Sequence, residues 1–196
     1  MLLSGQILPE GATVTEPELY KRLSVIQVVA MDVDGTFTDG ALFYDHEGKV
    51  FKGFSSHDGL GLELLLRAGI KRGFITGRKD PSTEARANYL HADFYFCGVG
   101  DKSVAIRQLC DTFGVTKEAI LYMGDDLNDL TAFETAGVAV AVGDASDEIK
   151  AAADFVTSAP GGHGAVRELV NLLLKAKNID SVALWKTAVD KTAGGQ

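Results

Sequence analysis

The chain has little of what several classes of protein require. Its 196 residues include two cysteines, Cys97 and Cys110, with no CxxC pair, so neither a zinc site nor a disulfide framework is predicted and a reducing cytoplasm is expected. No apolar run approaches the roughly 20 residues that a membrane helix needs. The first 20 residues lack the basic and apolar segments of a signal peptide. We therefore expect a cytoplasmic protein with no membrane partner.

Positive charge is also scarce. The chain has 19 Lys and Arg residues against 27 Asp and Glu residues, a formal net charge of −8, and no block rich in Lys and Arg. Such a chain neutralises a string of phosphates poorly, so we expect no nucleic-acid partner, although a small anion could bind locally. The excess carboxylates form a solvated surface or, in part, a cation site. With 46% hydrophobic residues, the composition is typical of a globular protein with one core.

Short apolar segments alternate with helical patterns along most of the chain. The predicted strands are 25–31, 70–76, 92–98, 119–124 and 138–143, and the predicted helices are 58–69, 81–90, 101–114, 127–137, 146–153 and 164–177. This alternation predicts an α/β fold, a Rossmann-like three-layer sandwich with a central parallel sheet. Two short alternating segments joined by a turn with glycine, at about 41–54, predict a β-hairpin after the first strand.

Polar segments follow three of the predicted strands. They are Asp32-Val33-Asp34-Gly35, Thr76-Gly77-Arg78 and the acidic segment GDDLND at 124–129. Ligands bind at this edge of an open α/β sheet. The first two carboxylates would repel each other unless a cation or a shared proton lay between them. Asp125 or Asp126 could complete a site made of oxygen ligands alone, which favours Mg²⁺.

A Mg²⁺ site beside a free carboxylate, the hydroxyl of Thr76 and the cation Lys102 suits phosphoryl transfer. In that reaction, catalysis consists largely of positioning and charge neutralisation. Asp32 would attack phosphorus to form an aspartyl-phosphate, and Asp34 would protonate the leaving alkoxide and then deprotonate the attacking water. Each feature alone has a simpler explanation, because DxDG is a common turn after a strand and Lys102 is typical of an exposed helix start. Their combination with Thr76 favours the catalytic interpretation.

Four segments resemble, in order and spacing, the four motifs of the haloacid dehalogenase-type phosphatases: DVDGTFTDG at 32–40, ITGR at 75–78, Lys102 and GDDLND. The hairpin, DGLG at 58–61, Arg86 and GGHGAVREL at 161–169 further resemble the family of 3-deoxy-D-manno-octulosonate 8-phosphate (KDO 8-phosphate) phosphatases. The resemblance covers a phosphatase domain at 25–177. It leaves an N-terminal extension at 1–24 and a C-terminal tail at 178–196, whose TAGGQ end is expected to be mobile.

The resemblance implies a capless, HAD-like fold and a Mg²⁺-dependent phosphatase that acts on a small phosphorylated sugar acid in lipopolysaccharide biosynthesis. It makes Asp32 the nucleophile and Asp34 the acid/base. Asp32, the backbone carbonyl of Asp34 and Asp125 would bind Mg²⁺, with Asp129 orienting the metal site. The resemblance also implies a homotetramer, in which hairpins of neighbouring subunits pack together and the C-terminal segment of a neighbour reaches the site.

The same resemblance assigns phosphate and substrate contacts. Thr76 and Gly77 would hold the phosphate, and Lys102 would bridge nucleophile and phosphate. The predicted substrate-binding residues are Gly77, Arg78, Arg86, Asp126, His57 and His163. The two histidines stand where members of the family often carry Arg, and Thr36-Phe37 replaces an aliphatic pair, which bears on substrate choice because histidine binds anions weakly near neutral pH.

Three alternatives stay open from the sequence. One is a phosphatase for a nonulosonate (sialic-acid-type) 9-phosphate. Another is a receiver-like signalling domain that accepts a phosphoryl group, although receivers place their acidic pair and the phosphorylated Asp on different strands, which does not explain Asp34 two residues after Asp32. The third is a weakly catalytic binding or assembly subunit.

Overall fold

A six-stranded parallel sheet forms the centre of the protein in a computed structural model that describes residues 15–193, with side chains described as far as residue 187. In chain order the strands are β1 (Val28–Met31), the hairpin strands β2 (Phe43–Tyr44) and β3 (Val50–Phe51), β4 (Lys71–Thr76), β5 (Phe94–Cys97), β6 (Ile120–Gly124), β7 (Val138–Ala141) and β8 (Phe155–Val156). The sheet order is β5-β4-β1-β6-β7-β8. Every adjacent pair is parallel, so the carboxyl ends share one edge.

Helices cover the sheet and complete the three layers. They are α1 (Glu16–Ser24), α2 (Ser56–Arg67), α3 (Pro81–Tyr89), α4 (Lys102–Phe113), α5 (Leu130–Phe133), α6 (Asp147–Ala152), α7 (Ala165–Ala176) and α8 (Ser181–Ala193). Helix α7 packs against α1 and α2, and α4 to α6 form a second group of neighbours. In the described part of the chain, no helix has both the length and the apolar character needed to span a bilayer.

The central strands are continuous apolar runs because helices cover them from both sides. All four residues of β1 are completely buried, and β6 and β7 are buried along their whole length. The register aligns Met31 of β1 with Phe74 of β4 and with Met123 of β6. The residues that come after these three strands therefore emerge side by side, and the predicted α/β fold is confirmed.

The predicted hairpin is also confirmed. Strands β2 and β3 form a separate antiparallel pair in which Phe43 lies opposite Phe51. The hairpin and α2 are the elements between β1 and β4, so these residues build no cap domain. The aromatic side chains of Phe43, Tyr44 and Phe51 are all more than half exposed.

Several elements differ from the sequence-based expectation. In the predicted helix 127–137, only residues 130–133 are α-helical. The segment begins instead with a 3-10 turn at 127–129, which the side chains of Asp126 and Asp129 cap. Helix α1 lies within the predicted extension, of which residues 1–14 are outside the described residues. Strand β8 was not predicted. Each of these elements is short or lacks a strong apolar period.

The tail is helical where a segment of mixed character was expected. The carboxylate of Asp180 accepts hydrogen bonds from the amides of Val182 and Ala183, which starts α8. The guanidinium of Arg67 stacks 3.9 Å from the ring centre of Trp185, which fixes α8 on α2. Residues 194–196, the end of the expected mobile TAGGQ segment, lie outside the described residues.

Asp58, in the DGLG segment, joins two distant parts of the chain. Its buried carboxylate accepts hydrogen bonds from the amides of Gly164 (3.0 Å) and Arg167 (2.8 Å) at the start of α7. The amide groups in the first turn of a helix have no partner within the helix, and a carboxylate also suits the positive end of the helix dipole. Asp58 therefore caps α7 from α2. The DGLG and GGHGAVREL segments thus have a shared structural role, because the first supplies the cap of the helix that the second begins.

We predict that Asp58→Ala destabilises the protein without removing a group from the sheet edge. The substitution leaves two half-buried amides without their acceptor, which costs about 1–2 kcal/mol in the free energy of unfolding. Denaturant unfolding measures the change. The control is Asp111→Ala, which removes an exposed carboxylate on α4 and should change stability by less than about 0.5 kcal/mol. Equal stability of the two variants would contradict the capping role.

Candidate active site

Asp32 is held rigidly at the carboxyl end of β1. Its amide donates to the carbonyl of Met123 (2.9 Å), which continues the ladder between β1 and β6 by one residue. The residue is 3% exposed, and its Oδ1 lies 2.7 Å from Nζ of Lys102. Burial and the carboxylate of Asp129 raise the pKa of Asp32 to about 6, against the opposing effect of Lys102.

Lys102 is the first residue of α4, whose N-terminus is capped by the side chain of Asp101. The sequence alone would have suggested an exposed lysine, yet its side chain is 1% exposed and lies between Asp32 and Asp129. Burial by itself would lower the pKa of Lys102, but the two carboxylates outweigh it and the pKa is raised. The ammonium therefore stays charged beside Asp32.

The acidic segment after β6 contributes two carboxylates with different partners. Both oxygens of Asp129 are engaged by the protein: Oδ1 accepts from Lys102 and from the Tyr122 hydroxyl (2.6 Å), and Oδ2 accepts from the amide of Asp125 (2.9 Å). Asp125 Oδ1 accepts a hydrogen bond from the hydroxyl of Thr36 (2.9 Å). Asp129 thus orients its neighbours, and Asp125 faces the DVDGT loop.

Gly35 permits the close approach of these two loops. Its φ is +98°, in the region that favours glycine, and a Cβ at this position would lie 2.0 Å from Oδ2 of Asp125. The contact brings the end of β1 and the acidic segment together. Only glycine satisfies both the backbone conformation and the available space.

The carboxylates fit a divalent cation. Oxygens of Asp32, Asp125 and Asp129 lie within 4.8 Å of one another. Burial and the carboxylates of Asp32 and Asp129 raise the pKa of Asp125 to about 7, because these anions repel one another. Since Asp129 is already engaged, Asp32 and Asp125 are the carboxylates free to bind a cation. Hard oxygen ligands of this kind suit Mg²⁺.

A cavity of about 350 Å³ opens in front of this cluster. Its lining consists of Asp32, Asp34, Thr76, Gly77, Arg78 and Asn128. Thr76 ends β4, and its hydroxyl accepts a hydrogen bond from the amide of Arg78 (3.2 Å), which turns the chain around the cavity. The expected grouping of Asp32, Asp34, Thr76, Gly77 and Arg78 is present. Asn128 was not singled out from the sequence, although it lies within the GDDLND segment.

Asp34 has a partner that the sequence did not indicate. Its Oδ1 lies 2.6 Å from Nζ of Lys52, the residue after β3, and its Oδ2 lies 3.4 Å from Nε of Arg78. The Lys52 side chain is 1% exposed and also contacts Asp80 Oδ2 at 2.7 Å. Burial alone would raise the pKa of Asp80, but hydrogen bonds from Lys52, Thr83 and Ser82 lower it to about 2.

Four predicted substrate residues do not line this cavity. Asp126 caps the 3-10 turn, and its Oδ1 accepts from the amide of Leu127. His57 and His163 are exposed elsewhere. Arg86 contacts the rings of Phe54 and Tyr89 and lines a second cavity of about 590 Å³ along α2 and α3. Within one chain, Arg78 is the predicted cationic substrate residue at the cavity.

The GGHG segment at 161–164 lies against the DVDGT loop that follows β1. A Cβ on Gly161 would lie 1.8 Å from the carbonyl oxygen of Gly35, and the amide of Gly162 donates to the carbonyl of Thr36 (3.1 Å). The amide of Gly161 donates to the carboxylate of Asp144 (2.8 Å). The segment therefore supports the DVDGT loop from behind.

Comparison with known proteins identifies clear relatives. Residues 98–169 match the family model of haloacid dehalogenase-like hydrolases. The chain is 40% identical over 164 residues to the 3-deoxy-D-manno-octulosonate 8-phosphate phosphatase of Haemophilus influenzae, and the match covers 84% of this chain and 91% of that protein. It is 37% identical to the protein of the same name from Escherichia coli K12, covering 78% of this chain and 81% of that protein.

Solved structures agree with these relatives. The phosphatase of the same name from Moraxella catarrhalis, crystallised in complex with magnesium ion, phosphate ion and KDO, has a TM-score of 0.84 at 38% identity, covering 88% of this chain and 99% of that one. The cobalt-bound form from Haemophilus influenzae has a TM-score of 0.78 at 40% identity, covering 80% and 92%. The similarity therefore extends over nearly the whole described fold.

We predict that stabilisation by Mg²⁺ depends on pH through Asp32 and Asp125. Their raised pKa values mean that the metal-free folded state binds more protons than the unfolded state between about pH 4 and 7, so their contribution to stability falls as pH rises through this range. Mg²⁺ requires the deprotonated forms. The rise in Tm on adding Mg²⁺ should therefore be several degrees larger at about pH 8 than at about pH 5.5.

Thermal unfolding with Mg²⁺ or with a chelator, at both pH values, measures this difference. Asp125→Asn serves as the comparison and should show a small Mg²⁺-dependent shift at either pH. A shift of the same size at both pH values in the wild-type protein would contradict the assignment.

Proposed function

We infer the function of this chain from its family, since it belongs to the haloacid dehalogenase-like hydrolases and, within them, to the 3-deoxy-D-manno-octulosonate 8-phosphate phosphatases. It is a Mg²⁺-dependent phosphatase, and KDO 8-phosphate is its substrate. The observation that carries this proposal is the buried Asp32 at the cavity, paired with Lys102 and adjacent to Asp125.

Asp32 is the proposed nucleophile. One of its carboxylate oxygens forms a bond to phosphorus while the bond from phosphorus to the sugar oxygen breaks, which yields an aspartyl-phosphate. The Lys102 ammonium contacts Asp32 and neutralises charge on the phosphoryl group, with the hydroxyl of Thr76 and the amide of Gly77 as further donors. Asp32, the Asp34 carbonyl and Asp125 would hold Mg²⁺, which when bound would supply additional neutralisation of charge.

Asp34 is the proposed acid and base. In the first step it gives its proton to the alkoxide of the leaving sugar, and in the second it takes a proton from the water that attacks the aspartyl-phosphate. The second step releases inorganic phosphate and restores the Asp32 carboxylate. The position of Asp34 on the cavity wall supports both roles.

Among the described residues, Arg78 is the predicted cationic partner of the sugar-acid end that lines the cavity. Arg86, His57 and His163 would contribute only where subunits meet. We therefore propose a homotetramer with the exposed hairpin aromatics at its contacts. From the family, we also propose a cytoplasmic role in lipopolysaccharide biosynthesis. The catalytic domain is assigned to 25–177, with α1 and α8 packed against it.

Two alternatives are less well supported. A nonulosonate 9-phosphate would need the same chemistry and a longer sugar site, and the relatives with matching names favour the eight-carbon substrate. A receiver-like domain needs no acid/base two residues after the phosphorylated Asp. The cavity wall formed by Asp34 and Arg78 favours a hydrolase that turns over.

A panel of phosphate esters tests the function. With Mg²⁺, the wild-type protein should release phosphate from KDO 8-phosphate with kcat/KM at least about tenfold above that for a nonulosonate 9-phosphate or simple sugar phosphates. Asp32→Asn should lose phosphate release by a factor of at least about 10³, because the nucleophile is removed.

Glu134→Gln is the matched control, since it removes an exposed carboxylate beside α5 and should leave activity unchanged. Preference for another sugar phosphate would contradict KDO 8-phosphate as the substrate but would leave the proposed phosphatase mechanism standing. Full activity in Asp32→Asn would reject the mechanism.

The proposed assembly gives a separate prediction. Phe43→Glu combined with Phe51→Glu places charges on the exposed aromatic pair of the hairpin, so the variant should sediment as smaller species, whereas the wild-type protein should sediment at four times the chain mass. Val104→Glu, at an exposed apolar position on α4, is the control and should leave the mass unchanged. A double variant with the wild-type mass would show that the hairpin is not the contact.

A further inference from the structure

Lys52 is a buried cation that has no part in the proposed mechanism. It follows β3 of the hairpin, and its side chain is 1% exposed. Nζ lies 2.6 Å from Asp34 Oδ1, 2.7 Å from Asp80 Oδ2 and 3.2 Å from Thr83 Oγ1. Three oxygens therefore surround the ammonium: the Asp34 and Asp80 carboxylates form ion pairs with it, and Thr83 Oγ1 accepts its hydrogen bond. These contacts fix the position of the ammonium beside Asp34.

The partners of Lys52 on α3 are themselves fixed. Asp80 caps α3: Oδ1 accepts from the amide (3.1 Å) and hydroxyl (2.9 Å) of Ser82, and Oδ2 accepts from the hydroxyl of Thr83 (2.7 Å). Asp80 and Thr83 are both buried. Lys52 therefore has two rigid contacts at the start of α3, and its third contact, Asp34, is the side chain that has to move a proton.

Stability alone is a weak reason to bury such a lysine. Removing an ammonium and carboxylates from water has a large desolvation cost that their attraction often only offsets, and apolar replacements are frequently as stable. An effect on the orientation of the Asp34 carboxylate accounts better for the burial of Lys52. With Oδ1 of Asp34 engaged by Lys52, Oδ2 is the oxygen left to exchange a proton with substrate, on the side of Arg78.

We propose that Lys52 is a positioning residue, through which the hairpin and α3 orient the Asp34 carboxylate for proton transfer to the leaving group. The inference rests on the proposed phosphatase function and adds a residue to it. It also gives the hairpin a role inside its own subunit, because the strand that carries exposed Phe51 leads directly into Lys52.

Substrates with different leaving groups distinguish a loss of Asp34 positioning from a general loss of activity. A sugar alkoxide needs a proton from Asp34 as it departs, whereas p-nitrophenolate is a good leaving group and needs none. In addition, kcat/KM reports on steps up to the first irreversible one, the transfer to Asp32. Lys52→Met should therefore lower kcat/KM by about 10²-fold for KDO 8-phosphate, or for another alkyl phosphate that the wild type hydrolyses, but by less than about threefold for p-nitrophenyl phosphate.

Two comparisons complete the test. Lys52→Arg keeps the charge and donors and should recover part of the activity on the alkyl ester, whereas Lys49→Met, at an exposed hairpin lysine paired with Glu47, should match the wild type on both esters. If Lys52 acts through Asp34, adding Lys52→Met to Asp34→Asn should cause little further loss on the alkyl ester, because the two effects are not additive.

Thermal unfolding of each variant establishes that it is folded. If Lys52→Met does not fold, Asp80→Asn provides the test, since asparagine can still cap α3 but weakens the anchor of Lys52, and it should show the same selectivity between esters. Equal losses on both esters, or no loss on the alkyl ester, would overturn the proposal while wild-type phosphatase activity stood. A wild-type protein with no Mg²⁺-dependent activity on either ester would overturn both this proposal and the proposed function.

Discussion

The buried contact of the Lys102 ammonium with Asp32 and Asp129 is the interaction on which the rest of the site depends. A charge in this position needs partners on every side, because an unpaired buried ion would destabilise the fold by several kcal/mol. The partners come from separate elements: α4 supplies the lysine, the end of β1 supplies Asp32, and the segment after β6 supplies Asp129. The contact therefore holds three loops of the parallel sheet in one arrangement.

Around this contact, the loops approach one another at glycines. Gly35 makes room for Asp125, and Gly161 packs directly on the Gly35 carbonyl. Behind them, Asp58 fixes the start of α7 to α2. The result is a cavity at which Asp32 is held by its backbone bond to β6 and by Lys102, with Asp125 close beside it. Asp34, also in the lining, forms ion pairs with Lys52 after the hairpin and with Arg78. A chain with net charge −8 can thus bind an anion, because a small subset of its carboxylates is offset locally by buried lysines and a cation.

Much of this arrangement could be predicted from the sequence. Apolar runs that end in DVDG, TGR and GDD indicate a parallel sheet, and parallel strands place their succeeding residues at one edge, which is why the positions of Asp32, Thr76 and Asp125 could be predicted. Periodicity, however, reports only on local structure. In the sequence, Lys52 looks like any other alternating residue of a hairpin, because its partner Asp80 is distant in the chain. Tyr122 looks like any other apolar residue of β6, because its contact with Asp129 depends on the fold.

Other placements could not be derived from the sequence for similar reasons. Arg86 and the two histidines were assigned through the family resemblance, which carries no information on which way a side chain points within one subunit, and the structure places them away from the cavity lining. Helix α8 was missed because its stability comes from Asp180 at its start and from the contact of Trp185 with Arg67, neither of which produces a strong apolar pattern. Contacts formed across the fold are therefore the part that the sequence left undetermined.

In the proposed mechanism, Asp32 becomes phosphorylated in a site that Lys102 and the carboxylates assemble. A crystal structure of the protein with Mg²⁺ and beryllofluoride, a mimic of the acyl-phosphate group, tests it most directly. We expect beryllium bonded to an Asp32 carboxylate oxygen, Mg²⁺ on Asp32, Asp125 and the Asp34 carbonyl, and Lys102 in contact with fluoride. Beryllofluoride attached to Asp125 or Asp129, or Mg²⁺ bound away from Asp32, would contradict it.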